Sequence, residues 1–404
     1  MGIDKVSDDN LVDLMFHLRW KSGSARHMDV YNAAGVNIWR DYLPTEVLQA
    51  IKNRYTGDRV DIQIKPENLY PAMDQSNLFE IKRSQFGNPF TKRPSAEPEM
   101  GRFYPKGILK DVSKVFAANM QPFRCVQLNN GHMTVDFNHP LAGRDLSLST
   151  LIGNVAPKKL ERGGTSVDWL ALLTDGPGMQ ARWRDKPSSF FSHDAFIRQD
   201  SEADTRFYHE PRFVQHIDDT AIEIVASNYG RFLQDGMQVL DLMSSWQSHL
   251  PDGLKLDRLT GLGLNEKELR RNPLLSEAVV QDLNQSANLP FENESFDAVL
   301  NTVSIEYLVE PLTIFKEVWR VLRPGGYFLV SFSNRWFEKK AVKIWKEIHE
   351  FERMGMVLEM FLRTGGFTNL QTYSMRGLPR PHNDKYYPDM LYSDPMYIVW
   401  GQRS

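Results

Sequence analysis

Short runs in which apolar and polar positions alternate mark the first part of the chain. Alternation of this kind is typical of half-buried β-strands, and it occurs over residues 59–64 and 132–137. A third apolar run, 123–128, is separated from 132–137 by Asn129-Asn130-Gly131. Asn and Gly accept the positive φ angles of a tight hairpin turn, so this spacing predicts a β-hairpin.

Residues 45–54 instead have the apolar spacing of a helix. Together with the strands, this helix predicts an N-terminal α+β domain with an antiparallel sheet over residues 1–155. Residues 156–206 show no clear period and are predicted to form a linker or a lid.

From residue 207 to residue 404, strand patterns alternate with helix patterns. Such alternation is typical of an α/β domain with a mostly parallel sheet that is covered on both faces. The predicted strands are 238–242, 258–262, 296–300, 326–332 and 395–400, and the predicted helices are 218–229, 311–322 and 336–348.

Length and composition agree with two folded domains. The chain has 404 residues, 41% of them hydrophobic and 25% charged, which is ordinary globular composition. Its net charge of −3 provides no basic excess for nucleic-acid binding. We find no secretion signal and no apolar run long enough to span a membrane, so we expect a cytoplasmic protein without nucleic-acid or membrane partners. The lone Cys125 excludes an intramolecular disulfide, and its alternating apolar context predicts a buried strand residue.

Polar residues and turn residues follow the predicted strands of the C-terminal half at regular places. In an open α/β sheet, ligands bind beyond the carboxyl ends of the strands. We therefore expect a ligand site that draws on the ends of several strands. The residues at these ends are Asp241, Ser244, Ser245, Gly261, Asn265, Asp282, Leu283 and Asn301, and Pro324-Gly325-Gly326 precedes the next strand.

This order of motifs resembles the class I S-adenosylmethionine-dependent methyltransferases, and most closely their type 11 branch, with a Rossmann-like fold. The resemblance implies S-adenosylmethionine as cofactor. It implies that Asp241 orders the first loop or meets the methionine amino group, and that Asp282 accepts from the adenine amine while Leu283 packs on the ring. It also places Asn301 at the methionine end.

Two features depart from that family. The first loop, 243–249, contains no glycine, although glycine ordinarily lets the backbone approach the cofactor. Gly263 stands where an acidic residue usually binds the ribose hydroxyls. If the cofactor is bound, we expect Ser244, Ser245 and Asn265 to supply contacts there.

Candidates for the chemistry of methyl transfer are few. His249 follows the first loop and could act as a base, although a capping or surface role is the simpler interpretation. Glu306 and Tyr307 follow the fourth strand and are either substrate contacts or packing residues. No catalytic acid–base pair and no metal site are predicted. No motif in the sequence indicates whether the methyl acceptor is a small molecule or a protein.

The N-terminal half resembles the FKBP-type prolyl isomerases over about residues 28–150. The resemblance rests on Asn138-His139-Pro140-Leu141-Ala142-Gly143 after the strand at 132–137, on Gly57-Asp58 and on the loop at 66–70. It implies a peptide pocket lined by Tyr42, Tyr70 and Phe137, which would bind a proline-containing peptide. Leu148 and Pro71 depart from the family pattern, so a retained fold with little or no isomerase activity is preferred.

Three functions remain open from the sequence. In the first, a methyltransferase carries an isomerase-like module that binds its protein substrate. In the second, the chain is a prolyl isomerase or chaperone-type folding helper whose methyltransferase-like half is an inactive scaffold. In the third, a small-molecule methyltransferase has an N-terminal module with a purely structural role.

Overall fold

The computed structural model describes residues 5–87, 97–158 and 164–404. The strands are β1 (Asn10–Lys21), β2 (Arg26–Asn37), β3 (Arg59–Ile62), β4 (Leu78–Lys82), β5 (Phe103–Pro105), β6 (Pro122–Asn129), β7 (His132–Asp136), β8 (Leu146–Pro157), β9 (Gln238–Leu242), β10 (Arg258–Gly263), β11 (Glu277–Val280), β12 (Phe296–Thr302), β13 (Leu322–Phe332), β14 (Phe367–Arg376) and β15 (Met396–Arg403). The helices are α1 (Thr45–Ile51), α2 (Trp169–Thr174), α3 (Asp204–Phe207), α4 (Asp219–Tyr229), α5 (Glu266–Arg271), α6 (Pro311–Val321), α7 (Lys343–Glu347) and α8 (Glu350–Thr364).

The chain divides into two compact units. The first contains residues 1–25, 35–192 and 348–359, and the second contains residues 26–34, 193–347 and 360–404.

Antiparallel pairing dominates the first unit. β8 pairs with β1 on one side and β3 on the other, and α1 buries Val47 and Ile51. A separate four-stranded sheet has the order β4-β7-β6-β5. Its core contains Phe123, Met133 and Val135, and it also buries Cys125, as the sequence predicted.

The predicted hairpin is confirmed, because β6 pairs with β7 and Gly131 has a φ of 80° at the turn. The long strands β1, β2 and β8 were missed by the pattern analysis.

The second unit is built on strands in the order β11-β10-β9-β12-β13-β15-β14-β2. Strands β9 to β13 run parallel to one another, whereas β15 is antiparallel to both β13 and β14. The strand order reverses between β9 and β12, which is the switch point where open α/β sheets bind ligands. The predicted α/β architecture of the C-terminal half is confirmed, although β14 was missed.

The predicted helix over 336–348 is wrong in its first part. Residues 336–342 are not helical, and within the predicted range only α7 is a helix. The backbone N–H of Phe337 donates to the Tyr307 hydroxyl at 2.9 Å, and the buried Lys340 ammonium forms ion pairs with Asp200 and Asp204. These long-range partners hold the backbone in a non-helical path despite its apolar spacing.

Candidate functional site

A cavity opens in the second unit at the carboxyl ends of the parallel strands. It is bounded by the first loop after β9, by the residues that follow β10, β11 and β12, and by the segment 204–216 with Phe337. Polar residues that line it include Asp204, Arg212, His216, Asp241, Ser244, Ser245, Ser248, His249, Asn265, Glu268 and Asp282.

Asp241 fixes the first loop. Its carboxylate Oδ2 accepts hydrogen bonds from Ser244 Oγ at 2.7 Å and from Ser248 Oγ at 2.5 Å. Burial raises the pKa of Asp241, whereas the two serine hydroxyls act in the opposite direction. The predicted alternative in which Asp241 orders the first loop therefore agrees with its contacts.

The glycine-free loop takes a path that ordinarily favours glycine. Met243 has a φ of 63°, in the left-handed region. The next residue, Ser244, donates its backbone N–H to Leu262 O at 2.8 Å. A Cβ atom on Gly263 would overlap the Ser244 carbonyl oxygen. Gly263 therefore lacks a side chain because the first loop lies directly against the end of β10.

The segment after β11 offers a free hydrogen-bond acceptor. Asp282 Oδ1 accepts from the backbone N–H of Asn284 at 2.9 Å, whereas its Oδ2 is buried and has no partner within the described part of the chain. Burial raises the pKa of this carboxyl, since desolvation disfavours its charged form. Leu283, beside it, is buried and lines the same cavity.

Asn265 lines the cavity, but its polar atoms are already engaged. Its Oδ1 caps α5 by accepting from the backbone N–H groups of Lys267 and Glu268, and its Nδ2 donates to Tyr208 O and His209 O. This side chain therefore stabilises the start of a helix and the segment that covers the cavity.

Two of the predicted residues do not line the cavity. Gly261 lies within β10, where a Cβ would overlap the side chain of Leu275. Asn301 is fully buried in β12, and its Nδ2 donates to Leu242 O at 3.3 Å. The remaining predicted residues of this site do line it: Asp241, Ser244, Ser245, Asn265, Asp282 and Leu283.

Two histidines lie in the cavity wall. Burial lowers the pKa of His249 to about 4, with a further contribution from His216. The pKa of His216 is also lowered by burial. The His249 imidazole is therefore neutral at pH 7. Of the other two candidates, Tyr307 lines the cavity, whereas the buried Glu306 does not.

Several residues of the cavity were not predicted from the sequence as site residues. Ser248 and Glu268 belong to it, and so do Tyr208, Arg212 and Phe337. Glu268 accepts from the backbone N–H of Arg212 at 2.7 Å and from Ser245 Oγ at 2.6 Å. These contacts join residues far apart in the chain, so no local motif could reveal them.

The three predicted peptide-binding residues do not all line one cavity. Tyr70 and Phe137 line a second cavity, within the first unit, whereas Tyr42 does not line it and is 57% exposed. Tyr70 stacks on His139 with ring centroids 4.7 Å apart, and Phe137 packs edge-on against Phe79. Burial raises the pKa of Tyr70 to about 12.

The central part of the second unit is similar to a known protein family. Residues 252–330 match the family described as "Methyltransferase domain". This stretch contains β10, β11 and β12 and therefore most of the strand ends that border the cavity. This match supports the methyltransferase part of the resemblance seen in the sequence. The FKBP-type resemblance of the N-terminal half stays a prediction.

Curated methyltransferases are similar to a part of the chain. A probable S-adenosylmethionine-dependent methyltransferase of Mycolicibacterium smegmatis is 39% identical over 82 residues, which cover 20% of this chain and 32% of the relative. The fatty-acid O-methyltransferase of the same species is 34% identical over 119 residues, covering 28% and 42%. The malonyl-[acyl-carrier protein] O-methyltransferase of Marinomonas sp. is 29% identical over 77 residues, covering 18% and 28%. The chain thus spans less than half the length of each of these relatives.

Solved structures of methyltransferases are also similar to the chain. One from Aquifex aeolicus has 18% identity and a TM-score of 0.32, covering 50% of this chain and 97% of its own. One from Mesorhizobium loti has 16% identity and a TM-score of 0.32, covering 46% and 99%.

In the ranges that the structure describes, no helix is both long and apolar enough to cross a membrane.

Proposed function

We propose that the second unit binds S-adenosylmethionine in the cavity at the carboxyl ends of its parallel strands and transfers the methyl group to an acceptor. S-Adenosylmethionine is the cofactor that its methyltransferase domain implies. The observation that carries the proposal is the buried, unpaired Oδ2 of Asp282 in a cavity that also holds the buried Asp241.

The residues of the cavity fit the two ends of this cofactor. An adenine ring needs an acceptor for its exocyclic amine and an apolar surface, and Asp282 with Leu283 offers both. The cofactor supplies a methyl group that its sulfonium charge has already activated. Asp241 and Glu268 add carboxylate groups to the wall, and negative charge there stabilises a bound cation.

The ribose hydroxyls need acceptors other than the usual acid after the second strand. Gly263 leaves no side chain there, and Asn265 is engaged in capping. We assign this role to Glu268, whose carboxylate lines the cavity and is oriented by Ser245. Each Glu268 oxygen already accepts one hydrogen bond, from the backbone N–H of Arg212 and from Ser245 Oγ. A carboxylate oxygen has two lone pairs, so each can accept one more from a ligand.

For the acceptor, positioning is the main requirement. His249 is neutral at pH 7 because burial lowers its pKa to about 4. A neutral imidazole can accept a hydrogen bond from a hydroxyl or amine and orient it toward the methyl group. Both a small molecule and a protein remain open as the acceptor.

The N-terminal unit is proposed to be an FKBP-type-like module that binds a proline-containing peptide. The antiparallel strands β1, β8 and β3, the helix α1 and the cavity with Tyr70 and Phe137 support this role. A folding helper with an inactive methyltransferase scaffold is not favoured, because such a scaffold would bind no ligand that could donate a hydrogen bond to the unpaired Asp282 Oδ2.

The cofactor proposal is tested by calorimetric titration of the full chain with S-adenosylmethionine and S-adenosylhomocysteine. We expect saturable binding, weakened about 10-fold in Asp282→Asn because a hydrogen bond to a charged acceptor is lost. Asp252→Asn is the matched control, since Asp252 is exposed and does not line the cavity. Absence of binding at millimolar concentrations of both ligands would refute the proposal.

The peptide module is tested separately with a prolyl-peptide isomerisation and binding assay. Tyr70→Ala should weaken peptide binding, whereas Tyr42→Ala, at a residue that does not line the cavity, should leave it unchanged. Equal binding by both variants would contradict a peptide site at Tyr70.

A further inference from the structure

A guanidinium group projects into the cavity of the second unit. The Arg212 Cζ atom lies 4.4 Å from the ring centroid of Phe207, 4.8 Å from that of Phe337 and 5.4 Å from that of Tyr208. Aromatic rings stack on the planar guanidinium and limit its rotation. The charged group is therefore held in one orientation.

The partly buried Arg212 forms no ion pair with a carboxylate among the residues that the structure describes. Its Nη2 donates to the backbone carbonyl of Phe207 at 3.2 Å. Its Nη1 is buried and has no hydrogen-bond partner among residues 5–87, 97–158 and 164–404. Glu268 accepts from the backbone N–H of Arg212 at 2.7 Å. A buried charged donor without a partner is costly, so the arrangement is that of a site awaiting an acceptor.

The surroundings restrict which anion fits. The same cavity wall contains the acidic residues Asp204, Asp241, Glu268 and Asp282. These carboxylates would repel a multiply charged phosphate, whereas one guanidinium balances one negative charge. A carboxylate also matches the planar, bidentate geometry of the guanidinium.

We propose that Arg212 binds the carboxylate of a small ligand in this cavity, an inference that rests on the proposed cofactor binding. Two molecules can supply that carboxylate: the methionine part of the cofactor or a carboxylate-bearing methyl acceptor. Arg212 is in either case a binding and positioning residue, because it anchors the ligand at a group that takes no part in the transfer.

The experiment compares two adenosyl compounds in calorimetric titrations. S-Adenosylhomocysteine carries the carboxylate, whereas 5′-methylthioadenosine lacks the amino-acid end. If the carboxylate is that of the cofactor, Arg212→Met weakens S-adenosylhomocysteine binding about 10- to 100-fold and leaves 5′-methylthioadenosine binding unchanged. Unchanged binding of the second compound also shows that the variant is folded around the adenosine site.

Two further variants support the interpretation. Arg212→Lys keeps the positive charge but loses the paired N–H donors of the guanidinium. We therefore expect its affinity for S-adenosylhomocysteine to lie between those of the wild type and Arg212→Met. Arg206→Met removes an arginine whose side chain is 78% exposed, and we expect wild-type affinity for both compounds.

A second arm distinguishes the acceptor as the source of the carboxylate. Hexanoate is titrated into protein saturated with S-adenosylhomocysteine. Hexanoate binding that is lost in Arg212→Met, with cofactor affinity unchanged, assigns the carboxylate to the acceptor.

Wild-type affinity of Arg212→Met for S-adenosylhomocysteine, with no hexanoate binding that depends on Arg212, overturns the inference. Wild-type protein that binds neither adenosyl compound overturns the proposed function and this inference with it.

Discussion

Ser248 Oγ donates a hydrogen bond of 2.5 Å to Asp241 Oδ2, joining the far end of the first loop to the strand that precedes it. Ser244 Oγ donates to the same oxygen from the near end of the loop. Asn272 Nδ2 in turn donates to Ser248 Oγ at 3.0 Å. The loop therefore owes its shape to hydroxyl groups bound to one buried carboxylate.

Replacing Ser248 tests this arrangement. Ser248→Ala should lower the free energy of unfolding by about 2 kcal/mol, because it removes a hydrogen bond to a buried charged group. In the Asp241→Asn background the same change should cost about 1 kcal/mol, as expected for a neutral acceptor. Chemical denaturation of the four proteins measures the coupling, and additive effects would show that the two residues act independently.

Replacing Gly263 tests the close approach of the first loop to β10. Gly263→Ala places a Cβ against the Ser244 carbonyl oxygen. We expect a loss of about 2–3 kcal/mol in the free energy of unfolding, together with weaker cofactor binding, since the loop must move. Gly230→Ala is the control, because its Cβ would meet Pro251 at an ordinary 3.4 Å. Equal stabilities of the two variants would rule out the steric explanation.

The left-handed conformation of Met243 predicts an unusual preference for glycine. Met243→Gly should raise the free energy of unfolding by about 1 kcal/mol, since glycine adopts a φ of 63° without strain. Met243→Val should lower it by about 1–3 kcal/mol, because a β-branched residue is disfavoured there. Thermal denaturation at pH 7 gives both values. The reverse order of stability would mean that packing of the Met243 side chain outweighs its backbone strain.

The lowered pKa of the partly buried His249 predicts a loss of stability in acid. Its pKa is about 4 in the folded protein, below its ordinary value of about 6.5 in an unfolded chain. The unfolded chain therefore binds more protons between these values, and the free energy of unfolding falls as the pH is lowered through that window. Between pH 7 and pH 5 this contribution amounts to at most about 2 kcal/mol.

Denaturation curves at pH 7 and pH 5 measure the effect. His249→Gln should lose less stability on acidification than the wild type, whereas His209→Gln, at a side chain that is 77% exposed, should behave like the wild type. The same acid sensitivity in His249→Gln as in the wild type would exclude His249 as its cause.

The sequence by itself determined where the central strands and one helix of the second unit lie along the chain. Strands 238–242, 258–262 and 296–300 were predicted within two residues of β9, β10 and β12, and helix 311–322 within one residue of α6. The strands are buried on both faces and the helix on one face. Their apolar residues therefore recur at a fixed spacing that can be read directly from the sequence. Placing Asp241 and Asp282 in one site was possible for the same reason, because parallel strands end at one edge of a sheet.

Tertiary structure alone decided how the polar groups of the site are used. Asn265 follows β10 as the motif predicts, yet its side chain caps α5 and holds Tyr208. Arg212 belongs to no recognisable motif, and one of the aromatic rings around it, Phe337, is far along the chain. Residues 336–342 have the apolar spacing of a helix, but the ion pairs of Lys340 with Asp200 and Asp204 hold their backbone in a non-helical conformation. Hydrogen bonds and ion pairs between distant residues depend on the packed fold, and so only the fold could show which side chains are left free for a ligand.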